Sequence, residues 1–76
     1  MKPFHYQTDA MRWCVKLYRT KDRACTAYAL LEAQGFVKRR RNAYKLSGYQ
    51  YANSLYNTMV RYNTLKLPMR QQVEGL

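Results

Sequence analysis

The feature that most constrains this chain is a change of period around a single glycine. The stretch Leu30-Leu31-Glu32-Ala33-Gln34-Gly35 ends a helical pattern, and Phe36-Val37-Lys38-Arg39-Arg40-Arg41-Asn42-Ala43-Tyr44-Lys45-Leu46-Ser47 follows without that spacing. Glycine is the preferred residue in the left-handed conformation just past a helix, and in that motif Phe36 folds back onto Leu31. Beyond it, Phe36 to Arg40 and Ala43 to Ser47 read as two short strands joined at Arg41-Asn42, since Asn tolerates the positive φ of tight hairpin turns. The competing reading is a helix that runs straight through the arginines. In the hairpin reading four consecutive cations sit at the tip.

Two helices precede the glycine. Met11, Cys14, Val15 and Tyr18 recur at i, i+3, i+4 and i+7, the signature of an amphipathic helix. Thr8 suits its N-cap, and Asp9 puts negative charge where the macrodipole favours it. Ala10, Trp13 and Leu17 widen the stripe and leave Arg12, Lys16 and Arg19 on the polar side. After a short polar connection at residues 19–22, Asp22 or Thr20 caps a second helix running to about Gln34. Ala24, Ala27, Tyr28 and Leu31 form its inner stripe, with Leu30 alongside. Ser47 with Gln50 three residues on fits a capping box. The third helix runs from there to about Leu65, with Ala52, Leu55, Met59 and Tyr62 inward and Tyr56 and Val60 beside them. Pro68 disfavours helix at Leu67. Residues 1–67 read as one small basic domain and 68–76 as a flexible tail.

The order is helix-turn-helix, basic hairpin, C-terminal helix: a mainly α fold with a short β-hairpin (α+β). Over residues 20–56 this resembles the winged-helix family, through the helix-to-wing passage Ala29 to Arg40 and the return strand and cap Ala43 to Gly48. The chain has no residues for the helix that usually precedes the helix-turn-helix pair, its turn has no glycine, and its wing is short. The resemblance implies that Lys21, Arg23 and Thr26 open a DNA-facing recognition helix and that Lys38, Arg39, Arg40 and Arg41 form a wing.

Charge points to the same class of partner. The 76 residues carry 14 Lys+Arg against 4 Asp+Glu, a formal net charge of +10, which draws a protein towards polyanions. Lys and Arg neutralise phosphates and release counterions, giving affinity with little sequence information. The candidate contacts are Lys21, Arg23, Thr26, Lys38, Arg39, Arg40, Arg41 and Lys45. Tyr44, Tyr49 and Tyr51 flank the tip and are either packing residues or stacking surfaces for bases. A domain this small buries only about 60 to 65% of its unfolded surface, and with no isoleucine, four valines and eight tyrosines its core is thin.

Other classes find little support. The four acids (Asp9, Asp22, Glu32, Glu74) are dispersed, and no nucleophile set, glycine-rich phosphate loop or metal-ligand cluster occurs. No enzyme, metal or cofactor is expected. Cys14 and Cys25 read as buried and reduced, His5 as a surface residue. No apolar run reaches the roughly 20 residues of a membrane span, and no secretory signal opens the chain. A cytoplasmic, nucleoid-associated or (for a viral protein) host-cytoplasmic setting follows. The partner expected first is nucleic acid, DNA ahead of RNA, bound by a monomer or homodimer regulating transcription. The alternative is a virus- or plasmid-encoded interaction protein. It would dock on an acidic surface of a larger nucleic-acid-processing machine, such as RNA polymerase or a nuclease, and modulate it.

Overall fold

A computed structural model describes residues 3–38 and 45–65. They form three helices: α1 (Gln7–Tyr18), α2 (Lys21–Ala33) and α3 (Gly48–Arg61). Among the described residues there is no strand, so the expected α+β hairpin is replaced by an all-helical arrangement. Residues 36–38 and 45–47, expected to be strand, are turn, bend and irregular chain; the expected tip, residues 39–44, lies outside the described residues.

The backbone explains why no ladder forms there. Its hydrogen-bonding groups already have other partners. The Phe36 N–H donates to the Leu31 carbonyl at 2.9 Å, and the Phe36 carbonyl accepts from the Phe4 N–H at 2.8 Å. The Lys38 carbonyl accepts from the Gln7 side-chain amide at 2.8 Å, and the Ser47 N–H donates to the Gln50 side chain at 3.0 Å. In the described residues the α2 cap, the N-terminal arm and the α3 cap supply the partners that a ladder would otherwise supply.

The helix ends follow local chemistry in most places. Gly35 takes φ +85; its N–H donates to Glu32 and that of Phe36 to Leu31. This is the paired 5→2 and 6→1 pattern of a Schellman motif. α3 ends the same way with Asn63 at φ 59: Asn63 N–H donates to Val60 and Thr64 N–H to Met59. That turn stops α3 at Arg61, short of the expected Leu65, and folds Leu65 back into the core at 5% exposure. The Arg12 guanidinium holds the turn against α1 by donating to the Thr64 carbonyl at 3.1 Å. Ser47 and Gln50 complete the expected capping box. Thr20, rather than Asp22, caps α2 by accepting from the Arg23 N–H at 3.3 Å.

α1 departs from expectation at its start. It begins at Gln7, so Thr8 is inside the helix, and the N-cap position is Tyr6 with no side-chain cap. Tertiary anchors take over that role, namely the Phe4 N–H on Phe36, the Gln7 amide on Lys38, and the Phe4 ring 5.7 Å from that of Trp13. At its end Arg19 adopts φ 64 and donates its N–H to Val15, so only Arg19 and Thr20 separate α1 from α2.

α2 is the central element and packs most extensively against α3, then α1. Its alanines (Ala24, Ala27, Ala29, Ala33) suit a helix with neighbours on two sides, because small side chains permit close approach. Gly48, at the start of α3, sits directly over Ala29. Further along, Tyr51 meets Tyr28, with ring centroids 6.0 Å apart, and Tyr56 meets Lys21. α3 therefore runs antiparallel to α2. The core comprises Met11, Cys14, Cys25 and Tyr28, all fully buried, with Val15, Leu31, Val37, Tyr51, Met59 and Leu65 around them. Tyr62 and Val60, expected on or beside the inner stripe of α3, are exposed, and Tyr51 takes the buried place. Both cysteines are free and buried. Among the described residues no helix is long and apolar enough to cross a membrane.

Candidate nucleic-acid interface

Four cations surround the two-residue junction between α1 and α2. Lys16 and Arg19 close α1, Lys21 and Arg23 open α2, and all four are exposed. Apart from Asp22 in the first turn, the placement of charge along α2 opposes its macrodipole. Cations occupy the positive N-terminal end and Glu32 the last turn, where no basic residue stands. Each cation at a helix N-terminus forgoes roughly 0.3–1 kcal/mol relative to an anion there. The result is a concentration of positive potential from the dipole and side chains together, at an end where backbone N–H groups also face outward.

Asp22 is the acid in that first turn. Its carboxylate accepts from the Tyr49 hydroxyl at 2.7 Å, tying the start of α3 to the start of α2. That hydrogen bond raises the Tyr49 hydroxyl above its ordinary value, with desolvation adding to it. Lys21 lies with Nζ 5.8 Å from the Tyr56 ring centroid, a cation–π arrangement. Arg23 and Thr26 project on another side of α2, where with Tyr18, Asp22, Ala27 and Leu30 they line an open, mainly apolar cavity of about 420 Å3.

The sequence-derived contacts thus fall into separate groups. Lys21, Arg23 and Thr26 all stand on the first two turns of α2, but Arg23 and Thr26 share one side and Lys21 faces Tyr56 of α3. Lys38 and Lys45 are exposed on either side of residues 39–44. Arg39, Arg40, Arg41 and Tyr44 lie outside the described residues. Of the three tyrosines named as stacking surfaces, Tyr49 is 39% exposed, whereas Tyr51 turns inward at 7% and packs on Tyr28. A base cannot reach a ring so placed without opening the core. Sequence reasoning missed the cavity. Tyr18 was assigned to the inner stripe of α1 but is 43% exposed, and Leu30 is 57% exposed. The available signal was an apolar residue beside, rather than on, the stripe of α2.

The thiols offer no nucleophile. Burial pushes Cys14 up to about 11, and neighbouring Cys25 adds to the shift. Burial also raises Cys25, with Lys21 opposing it and Asp22 reinforcing it. Among the described residues no three His, Cys, Asp or Glu side chains gather as metal ligands would. Comparison with protein-family models, curated proteins and solved structures finds no match to this chain.

Proposed function

We propose that this protein is a small, non-catalytic nucleic-acid-binding regulator that grips phosphates at the junction of α1 and α2. The observation that carries this reading is the cluster of four exposed cations, Lys16, Arg19, Lys21 and Arg23, around the α1–α2 junction, with Asp22 the one acid in the first turn of α2. A phosphate docked there offsets the excess positive charge that the cations add to the positive end of the helix dipole. Lys38, Lys45 and the intervening arginines add cations in the connection from α2 to α3. Transcription is the process such a basic regulator would act on, with DNA the expected polymer.

A salt titration tests it. Binding to a labelled duplex should weaken linearly in log–log form as salt rises, and Lys21→Ala with Arg23→Ala should each reduce the slope by about one. Unchanged slopes in both variants overturn the reading. A second reading has the same surface docking on an acidic protein surface of a nucleic-acid-processing machine, and the exposed Leu17 and Leu30 favour it. In that case duplex binding is weak at physiological salt, and Leu30→Ala disturbs function as much as Arg23→Ala does.

A further inference from the structure

We infer that the cavity beside Tyr18 receives one unpaired nucleobase, so that the preferred ligand is single-stranded nucleic acid whose bases carry an exocyclic amine. This rests on the proposed phosphate grip at the α1–α2 junction and specifies its substrate. The cavity is shallow and open to solvent, with a volume of about 420 Å3. Its walls divide by chemistry. Tyr18, Ala27 and Leu30 provide the flat apolar surface on which a base stacks, and Tyr18 and Leu30 are 43% and 57% exposed. Asp22 and Thr26 provide polar edges, and Arg23 stands on the rim. Lys21 is exposed but holds its ammonium over the Tyr56 ring of α3, so Arg23 is the cation at the cavity for the phosphate next to the inserted base.

The mixed lining separates a base from the apolar knob of a protein partner. A leucine or phenylalanine seated there would offer no donor to the remaining lone pairs of the Asp22 carboxylate, which already accepts from Tyr49, and would take them out of water. An unpaired cytosine or adenine stacks with its faces and offers its amine to the carboxylate, the pairing by which acidic side chains read cytosine N4. Thymine has a single N3–H flanked by two carbonyl oxygens and no exocyclic amine, so it meets the same carboxylate with one donor between two acceptors and is disfavoured. A base held in a duplex cannot enter the cavity unless it is unstacked and flipped out, which costs energy of its own. Tyr49 leaves Asp22 available, because its hydroxyl engages one lone pair of Oδ1 and the carboxylate accepts up to about four hydrogen bonds.

The experiment measures fluorescence anisotropy of labelled oligo-dC, oligo-dA and oligo-dT, and of a duplex of equal length, with the full chain at physiological salt. Oligo-dC and oligo-dA are expected to bind more tightly than oligo-dT and the duplex. Tyr18→Ala, at a half-exposed position and with its fold checked by circular dichroism, should weaken single-strand binding roughly tenfold and leave duplex binding unchanged. Asp22→Asn should narrow the dC-to-dT ratio. Its amide nitrogen donates to thymine carbonyls, while its oxygen still accepts from Tyr49. Duplex binding equal to or tighter than single-strand binding overturns the inference, as does a dC-to-dT ratio that Asp22→Asn leaves unmoved. If Arg23→Ala still flattens the salt slope in that case, the phosphate grip stands without the base site. Loss of binding to every polymer overturns both, and tighter binding of an acidic peptide than of any oligonucleotide transfers the cavity to a protein partner.

Discussion

Replacing Gly48 by alanine tests the packing of α3 on α2. An alanine Cβ at this position would lie 3.3 Å from the Ala29 Cβ, 3.4 Å from a Glu32 carboxylate oxygen and 3.7 Å from the Ala29 Cα. The carboxylate ends a flexible side chain and can swing aside. The Ala29 methyl group is fixed to its helix and cannot, so the helices must separate by a few tenths of an ångström. Alanine improves helix propensity by at most about 1 kcal/mol over glycine, and by less in a first turn. Overpacking a close contact costs about 1–3 kcal/mol. The contact term wins, and Gly48→Ala should destabilise the protein by about 1 kcal/mol, lowering Tm by about 4–8 °C. Ala29→Gly alone should cost about as much through helix propensity. In the double variant the added methyl faces a glycine, so the combined loss should fall short of the sum by about 1 kcal/mol. Urea unfolding followed by far-UV circular dichroism gives all three values. A Gly48→Ala protein as stable as the parent, or a strictly additive double variant, would refute the close-contact argument.

Alkaline conditions should weaken the fold through Cys14. Its thiol rises from 9.0 to about 11, so the unfolded chain loses its proton first. The contribution is complete below about pH 9 and fades as pH climbs to about 11, amounting to a few kcal/mol in order of magnitude. Urea midpoints across that window should decline, and Cys14→Ala, though less stable at neutral pH, should show a flatter decline; an identical slope sinks the assignment. At the end of α3, Asn63 holds φ 59. Asn63→Gly should raise stability by up to about 1 kcal/mol and Asn63→Val lower it by about 1–2 kcal/mol, both read from thermal melts. The opposite order would mean that the turn is not set by backbone conformation.

What could be read from sequence was what depends on neighbours a few residues away. Gly35 as the stop of α2 and Ser47 with Gln50 as the start of α3 each need partners within five residues, and both were legible. The hairpin was not, because its competitors come from far along the chain. Phe4 and Gln7 reach residues 36 and 38 and occupy the carbonyls that a strand pair requires. The same arm explains why Thr8 caps nothing. On α3 the apolar pattern identified a helix but left its rotation open. A stripe through Leu55 and Tyr62 and one through Tyr51 and Tyr56 differ by part of a turn, and contact with Tyr28 selects the second. Among the candidate contacts, the cations of α2 followed from position alone. The cavity did not, since it needs the end of α1 and the outer side of α2 at once.

The length of α2 sets a spacing between two sources of charge. Lys21 and Arg23 stand at its start, and Lys38 emerges beyond its end, held there by the Gln7 amide on its carbonyl. Thirteen helical residues rise about 20 Å, close to six nucleotide steps at about 3.4 Å each. Under the proposed phosphate grip, α2 would act as a ruler along a strand with stacked, duplex-like spacing. A polyanion shorter than about six steps reaches one end of it, and a longer one joins both, so affinity should climb with ligand length as a step near that value rather than as a smooth ramp.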